Sequence, residues 1–400
     1  MRVRADIVFP LAVVSVALGA AAVSCGSDDG GGSSGTGASS GTGASSGTGA
    51  SSGTGSTSGG GAGGGGGTSA GGSSGSGGGA GVGSGGAGGT SGTGGAGTGG
   101  GSGLIPPDKQ NLRVAFFGDT SSAANFKAVL GVAKAEKADF AVGLGDYDYS
   151  ANPNAWLTAM TGVLGADYPM FGAVGNHDQG TWEPYATEFK SRMQKAGVTP
   201  DNPDFTDEKF SMVYHGIKMV FVGQNGNNSE FASFIQSEFA KDDHLWRLCL
   251  WHKNQKAMQV GGKGDEMGWG VYENCRAAGA IVLTGHEHSY HRTKTLTDMT
   301  NQVVDTTCSD PKSLCVGPGR TFTFVSGLGG NSVRDQLRCL PATPPYGCNG
   351  EWAFVYTNQQ SATYGALLID FYVNGDPKKA KGYFKNIKNE TVDTFDITRD

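Results

Sequence analysis

The sequence predicts an α/β protein built from two sheets that pack together, with helices on the outside. Two observations predict this fold class. From about Leu104 onward, apolar runs typical of buried strands alternate with segments in which apolar residues recur at helical spacing. In the last third of the chain the apolar period shortens to two, which is typical of antiparallel strands. About 300 residues of this kind are enough to bury one large core.

The first elements are three strand–helix pairs. Strands are predicted in LRVAFFGDT, DFAVGLGDYDY and YPMFGAVGNHD, and a segment of helical period follows each of them. Asn152 is placed to cap the second helix, with Pro153 at its first position.

The alternation continues through the middle of the region. FSMVYHGIKMVFVGQN predicts a hairpin, and Ser229 is predicted to cap the helix after it. LWRLCLWHKN and AIVLTGHEH are two more buried strands, separated by a helix around WGVYENCRAAG. The remaining runs are predicted to be antiparallel strands of a second sheet: TFTFVSGLGG, SATYGALLIDFYV, AKGYFKNI and TVDTFDITR.

The N-terminus has the composition of an export signal followed by a linker. Residues 1–24 combine two arginines with an apolar run and small residues, which predicts a secretory signal peptide. The ending AVSC resembles a bacterial lipoprotein processing site, with cleavage before Cys25 and a lipid on its sulfur; an ordinary signal peptide cut nearby is the alternative. Residues 25–104 are rich in Gly, Ser and Thr and predict a flexible tether with a span of roughly 50 Å. The folded domain is assigned to residues 105–400.

Charge and cysteine content narrow the partners and the compartment. The formal net charge of -6 and the pI near 5.7 argue against nucleic acid or an anionic membrane surface as main partners. Besides Cys25 there are six cysteines, an even number that suggests disulfides in an exported domain. Fifteen pairings are possible. Short loops favour two pairs and leave a third as a strand-to-helix bridge: Cys308–Cys315, Cys339–Cys348 and Cys249–Cys275.

Ligand-type side chains follow five of the apolar strands. They are Asp119 in GDT, Asp146 and Tyr149 in GDYDY, Asn176 and His177 in GNHD, His252 in WHKN, and His286 and His288 in GHEH. Any single Gly-Asp or Gly-Asn is more often a turn than a ligand. Five such loops in order favour a metal site, because open α/β sheets place ligands past the carboxyl ends of their strands. Mixed carboxylate, amide and imidazole donors suit iron, manganese and zinc, and Asp146 is the candidate to bridge two cations.

The order GD, GDxxY, GNH, H and GHxH resembles the calcineurin-like metallophosphoesterases, and in detail the purple acid phosphatases. The resemblance covers essentially the whole region after the tether. Most of that superfamily has Asp-x-His in the first motif, whereas this chain has Asp119-Thr120-Ser121. Tyr149 lies at the GDxxY position where purple acid phosphatases place a tyrosinate on iron. The missing histidine of the first motif and the tyrosine of the second together favour the purple subgroup. The resemblance implies a four-layer α/β/β/α sandwich with two mixed sheets and flanking helices.

The resemblance also implies two metal sites that share one carboxylate. The first would hold Fe(III) on Asp119, Asp146, Tyr149 and His288. The second would hold Zn(II), Mn(II) or Fe(II) on Asp146, Asn176, His252 and His286. His177 would be no ligand; it would hydrogen-bond the phosphate or protonate the leaving oxygen. Plainer roles stay open for three of these residues: Tyr149 as a packed aromatic, His177 as an orienting residue and His252 as a strand-end histidine.

Two motifs depart from the purple acid phosphatase pattern. After the His252 position the family usually has a proline-containing stretch and a further histidine near the substrate, but this chain continues with Lys253 and Asn254. Lys253 is open to two interpretations, a phosphate contact or a solvated loop charge. The last motif has Glu287 and His291 where the family commonly has an apolar residue and Glu. These departures bear on substrate preference rather than on metal binding.

The function implied by the resemblance is that of an exported dinuclear-metal phosphoesterase, which hydrolyses phosphate monoesters by attack of a metal-bound hydroxide. Its substrate would be a small phosphorylated molecule. A lipid on Cys25 would anchor it in the bacterial cell envelope, on the periplasmic or cell-surface side. The first alternative is a phosphodiesterase or nucleotidase on the same centre, and the second is a non-catalytic surface protein that keeps the fold for binding.

Overall fold

The framework consists of two seven-stranded sheets with helices against them. The computed structural model describes residues 104–201, 208–224 and 228–400. The predicted signal peptide, Cys25 and nearly all of the predicted tether lie outside these residues. In chain order the elements are β1 (Leu112–Phe117), α1 (Ala124–Ala135), β2 (Phe140–Gly143), α2 (Pro153–Leu164), β3 (Met170–Gly172), α3 (Trp182–Lys195), β4 (Phe210–Tyr214), β5 (Ile217–Phe221), α4 (Asn228–Ala240), β6 (Trp246–Leu250), α5 (Trp269–Ala278), β7 (Ile281–Thr284), β8 (Tyr290–Thr293), β9 (Leu296–Asp298), β10 (Val303–Val304), β11 (Ser313–Val316), β12 (Thr323–Ser326), β13 (Trp352–Tyr356), β14 (Gly365–Phe371), β15 (Lys379–Asn386) and β16 (Thr391–Arg399).

Both sheets are mixed, and each contains a parallel segment. The first has the order β11-β16-β15-β14-β1-β2-β3, in which β1, β2 and β3 are parallel. The second has the order β13-β8-β12-β7-β6-β5-β4, in which β5, β6, β7 and β12 are parallel. In the described part of the chain, β9 and β10 form a small separate ribbon. The parallel segments matter for function, because their carboxyl ends carry all five predicted ligand loops.

Apolar side chains from both sheets form the central core. Phe116 of β1 meets Phe324 of β12 with ring centroids 6.1 Å apart, and Trp246 of β6 meets Phe371 of β14 at 5.1 Å. Helices α1 and α3 pack on the first sheet, while α4 packs on α5, which covers β6 and β7. The predicted fold class, an α/β sandwich of two mixed sheets with flanking helices, is therefore confirmed.

The sequence pattern predicted that the C-terminal strands form a second sheet of their own, and this prediction is wrong. Strands β14, β15 and β16 extend the first sheet, because β14 pairs antiparallel with β1, with Leu112 opposite Phe371. Strand β12 instead joins the second sheet beside β7. Alternation of apolar residues identifies a strand but carries no information about which distant strand it will pair with.

The three predicted disulfides are all present. Cys249 of β6 is bonded to Cys275 of α5, and the two shorter loops are closed by the other pairs, Cys308–Cys315 and Cys339–Cys348. Structural disulfides persist in oxidising compartments and are rare in the cytosol. The described domain is therefore that of an exported or extracellular protein.

Two predicted helix starts can be compared with the structure. Asn152 caps α2 as expected, since its side chain accepts the backbone N–H of Ala155 at 3.2 Å and Pro153 follows at the first position. Helix α4 begins at Asn228, so Ser229 lies inside its first turn and is not the cap. Among the described residues, no helix has both the length and the apolar character needed to cross a membrane.

Candidate metal centre

The five predicted ligand loops meet where the parallel segments of the two sheets end. Asp119 follows β1, and the amide N–H of Gly118 beside it donates to Ser326 O of the other sheet at 2.8 Å. The backbone N–H of His286, after β7, donates to Asp119 Oδ2 at 2.7 Å. The His252 ring, after β6, contacts Leu144 O through Nδ1 at 2.7 Å. Hydrogen bonds across the sheet boundary thus bring loops that are far apart in sequence into one cluster.

Four side chains form the first half of the cluster. Tyr149 Oη lies 3.1 Å from Asp119 Oδ1, 3.2 Å from Asp146 Oδ2 and 3.0 Å from His288 Nε2. His288 Nε2 is in turn 3.3 Å from Asp119 Oδ1. These are the four residues predicted for the first metal site, and their oxygen and nitrogen atoms point at one another.

The second half of the cluster shares Asp146 with the first. Asp146 Oδ2 lies 3.1 Å from His252 Nε2, which is 3.1 Å from His286 Nδ1. One potential ligand atom from each of Asp146, His252 and His286 lies within 4.8 Å of the others, and all three residues are buried. Asn176 borders the same carboxylate, because the N–H of its neighbour His177 donates to Asp146 Oδ1 at 2.9 Å.

The backbone at these loops is held in an uncommon conformation. Asp119, Asp146 and His286 have positive φ angles of 55°, 52° and 71°. Residues other than glycine seldom adopt positive φ angles. Those that do are concentrated at functional sites, because the surrounding structure must hold them in this conformation. Here the turn directs each side chain into the cluster immediately after its strand or loop glycine.

Close backbone approach explains the glycine that precedes Asn176. A Cβ on Gly175 would lie 2.1 Å from the backbone N of Asp146 and 2.2 Å from its Oδ1. Only a residue without a side chain lets these two loops pass at this distance. The glycine of the GNHD motif is thus required by the packing of the site.

Asp178 is a site residue that sequence reasoning missed. Its buried carboxylate accepts the backbone N–H groups of Asp146, Tyr147 and Gly175, each at 2.8 Å. Burial, and next the negative charge of Asp146, raise the pKa of Asp178 to about 7. The available signal was its position directly after GNH. Asp178 fixes the loop that carries Asp146 to the loop that carries Asn176.

Ring nitrogens that face away from the cluster have partners of their own. His252 Nδ1 contacts a backbone carbonyl, as described above, and His288 Nδ1 forms a short hydrogen bond with Ser332 Oγ. Such outer contacts fix the orientation of a histidine and the nitrogen that it offers to a metal. Ser332 was also absent from the sequence prediction.

Electrostatics of the cluster reflect its crowded acidic groups. Burial alone would raise the pKa of both carboxyls, but the charges of His288 and His252 lower the pKa of Asp119, and that of His252 lowers the pKa of Asp146. Burial and the same two carboxylates hold the pKa of Tyr149 well above its usual value. Burial opposes a charge on His252, yet Asp146 and Asp119 raise its pKa to about 9. A cation bound at this point would replace that proton and favour the phenolate.

His177 lies at the open side of the cluster. It is exposed, and its ring centroid lies 4.4 Å from that of Tyr149. Its backbone, rather than its ring, contacts Asp146. The imidazole is therefore available to a molecule that enters the site.

The loop after β6 contributes side chains that the sequence did not single out. Lys263 Nζ lies 2.9 Å and Glu266 Oε2 2.9 Å from His286 Nε2. Lys253, predicted either to contact phosphate or to be a solvated loop charge, has its Nζ 3.6 Å from Glu266 Oε1. Asn254 is structural, since its amide donates to Gly285 O at 2.7 Å. Lys263 and Glu266 thus lie against the ring of a predicted metal ligand.

Glu287 and His291, the two departures in the last motif, are both buried. The guanidinium of Arg334 lies 3.8 Å from Glu287 Oε2, and burial raises the pKa of Glu287 to about 7. The His291 ring packs against Trp352 with ring centroids 5.1 Å apart, and its Nδ1 lies 3.1 Å from Ser289 Oγ. His291 is thus part of the core.

The residues present fit a pair of adjacent cations. Two carboxylates, a phenol, an amide and three imidazoles converge, a donor set suited to iron, zinc or manganese. The Oδ1 atom of Asn176 is buried and has no hydrogen-bond partner among the described residues. A buried amide oxygen without a partner is costly unless a ligand satisfies it.

Comparisons with known proteins agree with this architecture. Residues 112–290 match the family model described as calcineurin-like phosphoesterase. Among solved structures, a purple acid phosphatase, PPD1 from yellow lupin (Lupinus luteus) seeds, is similar at 16% identity and a TM-score of 0.52, over 74% of this chain and 55% of that one. The chain thus spans about half the length of that protein. No curated protein sequence gives a significant match.

Two further structures resemble the chain more distantly. GAP50, described as the anchor in the inner membrane complex of Plasmodium, is 12% identical with a TM-score of 0.45, over 72% of this chain and 89% of that one. PhoD is 13% identical with a TM-score of 0.42, over 74% of this chain and 70% of that one.

The family match and the structural comparison agree on the class of fold, an α/β sandwich of the metallophosphoesterase kind. More specifically, the chain carries a calcineurin-like phosphoesterase domain, and its fold is shared with a purple acid phosphatase. Family and fold imply a dinuclear metal centre, and the converging loops are where the chain has residues to hold one.

Proposed function

We propose that this protein hydrolyses phosphate monoesters at a dinuclear metal centre of the purple acid phosphatase kind. The observation that carries the proposal is the position of Asp146. Its Oδ2 lies 3.2 Å from Tyr149 Oη and 3.1 Å from His252 Nε2. One carboxylate oxygen is thereby shared by two donor sets, as a bridge between two cations requires.

The proposed ligands divide around that bridge. Asp119, Tyr149 and His288 would join Asp146 at Fe(III), while Asn176, His252 and His286 would join it at Zn(II), Mn(II) or Fe(II). When bound, the two cations would supply Lewis acidity, acidify a water molecule and neutralise charge on the phosphate. The chain's own part is to hold these donors rigidly, through the outer hydrogen bonds of His252 and His288 and through the Asp178 carboxylate.

His177 would act on the substrate rather than on the metals. Its imidazole is exposed at the open side of the site, beside Tyr149. There it would hydrogen-bond the phosphate or transfer a proton to the leaving oxygen through a ring nitrogen. A histidine suits this task because its usual pKa lies near neutral pH.

Paired assays with an aryl phosphate and a bis-aryl phosphate test the proposal. The expected result is faster turnover of the monoester. Faster turnover of the diester would move the protein to the phosphodiesterases, and no turnover of either by metal-replete, folded protein would support a binding role instead.

We further propose that the domain is anchored to the bacterial cell envelope by a lipid on Cys25. The resemblance of AVSC to a lipoprotein processing site supports this, as do the three disulfides of an exported domain. The Cys25→Ala variant should appear in the soluble fraction. Unchanged membrane association of this variant would contradict the anchor. The proposed partner is a small phosphorylated substrate, with neither nucleic acid nor a lipid surface bound by the domain itself.

A further inference from the structure

The segment 331–334 is attached to two of the candidate metal-binding loops. Asn331 donates its backbone N–H to Asp119 O at 3.1 Å, and Arg334 donates its own to His288 O at 2.9 Å. Ser332 Oγ is hydrogen-bonded to His288 Nδ1. Each of these contacts is made by a different residue of the segment. The backbone that carries the Arg334 side chain is therefore fixed relative to the centre.

The side chain of Arg334, in contrast, is left without hydrogen bonds to protein. Within residues 104–201, 208–224 and 228–400, its guanidinium donates to no acceptor, and the carboxylate of Glu287, with Oε2 at 3.8 Å, is the one carboxylate within 4.0 Å. The side chain is 41% exposed. Arginine presents several N–H donors in a planar fork that matches a phosphate or a carboxylate. Because its backbone is fixed and its N–H donors have no protein acceptor in the described part of the chain, the Arg334 guanidinium is suited to bind an anion.

Arg334 also lies outside the metal cluster itself. Its guanidinium is more than 4.0 Å from the carboxylates of Asp119 and Asp146, since neither forms an ion pair with it. The guanidinium is thus separate from the cluster but borders the GHEH turn, since Glu287 lies between His286 and His288 in the chain. Lys263, with its Nζ 2.9 Å from His286 Nε2, has no carboxylate within 4.0 Å among the described residues and adds positive charge to the same turn.

We propose that Arg334 is a specificity-determining residue that binds a second anionic group of the substrate, a phosphate or a carboxylate carried close to the scissile phosphate. This inference rests on the proposed phosphoesterase function. It deepens that function, because it selects among phosphomonoesters those whose alcohol portion is itself anionic.

Binding of non-hydrolysable analogues tests the proposal without turnover. Methylphosphonate carries one anionic group, phosphonoacetate adds a carboxylate and methylenediphosphonate adds a second phosphonate. Their dissociation constants would be measured by calorimetry on the metal-loaded protein, with metal content checked afterwards because diphosphonates chelate metals. We expect at least one doubly anionic analogue to bind about 10-fold or more tightly than methylphosphonate, and the preferred one identifies the second group.

Variants of Arg334 then assign that preference. Arg334→Ala should reduce the preference for the doubly anionic analogue about 10- to 100-fold, the range expected for charge-assisted hydrogen bonds. Arg334→Lys should retain part of this preference, because the positive charge stays while the planar guanidinium is lost. Lys256→Ala removes an equal charge from an exposed position on the loop after β6 and should leave the preference unchanged. Thermal melting of each variant verifies folding.

Two outcomes would overturn the proposal. One is a wild-type protein with no preference for the doubly anionic analogues. The other is an Arg334→Ala variant that weakens all three analogues by the same factor, which would mean that Arg334 contacts the scissile phosphate or only balances Glu287. If the preference and its loss are observed but aryl phosphate is not hydrolysed, the anion site stands and the proposed catalytic function fails.

Discussion

The carboxylate of Asp178 accepts the backbone N–H of Asp146 at 2.8 Å, and with it those of Tyr147 and Gly175. Asp178→Asn would replace one of the two accepting oxygens by an amide NH₂ that faces at least one of these N–H groups, so the two loops should separate slightly and metal affinity should fall about 10- to 100-fold. Metal titration of the apoprotein measures this. The control Asp242→Asn alters a buried carboxylate paired with Arg247, remote from the five loops. It should reduce stability but keep metal affinity; equal metal loss in both variants would contradict the role of Asp178.

His177→Ala should reduce kcat about 10²- to 10⁴-fold while both metals are retained. The reason is that the ring faces the open side of the site, and only its backbone contacts Asp146. The magnitude is that of a lost proton-transfer group. Steady-state kinetics and metal analysis on the same preparation check it. His215→Ala, which removes another solvent-accessible histidine, serves as control. Full activity in His177→Ala would refute the assignment, as would loss of metal.

Gly175→Ala should impair both folding and metal binding. The added Cβ would lie 2.1 Å from the backbone N of Asp146, so one loop must move. Overpacking of this kind costs about 1–3 kcal/mol of folding free energy. Gly180→Ala is the matched control, because a Cβ there meets no atom within 4 Å. Denaturant unfolding and metal content measure the two effects. A stable, metal-replete Gly175→Ala variant would show that the loops do not approach as closely as described.

His291 predicts a loss of stability in acid. Burial lowers its pKa from 6.5 to about 3 in the folded protein. Between these two pH values the unfolded chain binds a proton at His291 that the folded chain does not. The stabilising contribution of the neutral His291 is therefore fully present above pH 6.5, and it is lost as the pH falls toward 3. The loss is on the order of a few kcal/mol. His291→Phe should lack this part of the pH dependence. Denaturant unfolding of the metal-free wild-type protein and of His291→Phe, measured over this pH range, tests the prediction. The same pH dependence of the unfolding free energy in both proteins would contradict it.

The sequence was sufficient to locate most of the candidate centre. Asp119, Asp146 and His252 each follow an apolar strand, and parallel strands present their carboxyl ends at one edge, so the order of motifs predicted their convergence. The disulfides were predictable as well, because close spacing of Cys308 and Cys315 and of Cys339 and Cys348 leaves little choice for the remaining pair.

Residues whose position depends on the path of a loop could not be predicted. Ser332 and Arg334 lie some 45 residues after the GHEH turn, and Lys263 and Glu266 lie in a segment without regular apolar period. Their approach to the site follows from tertiary contacts such as Arg334 N to His288 O. Strand partners were unpredictable for a related reason, since the pairing of β14 with β1 joins strands from opposite ends of the domain.

Metal analysis combined with a visible spectrum tests the central claim most directly. The protein would be purified without added metal, alongside Tyr149→Phe. The proposed purple-type centre, in which Tyr149 Oη lies beside Asp119, Asp146 and His288, predicts near-stoichiometric iron with a violet to pink tyrosinate band that disappears in the variant. Zinc or manganese without colour, or a folded protein that binds no metal, would contradict the proposed purple-type centre.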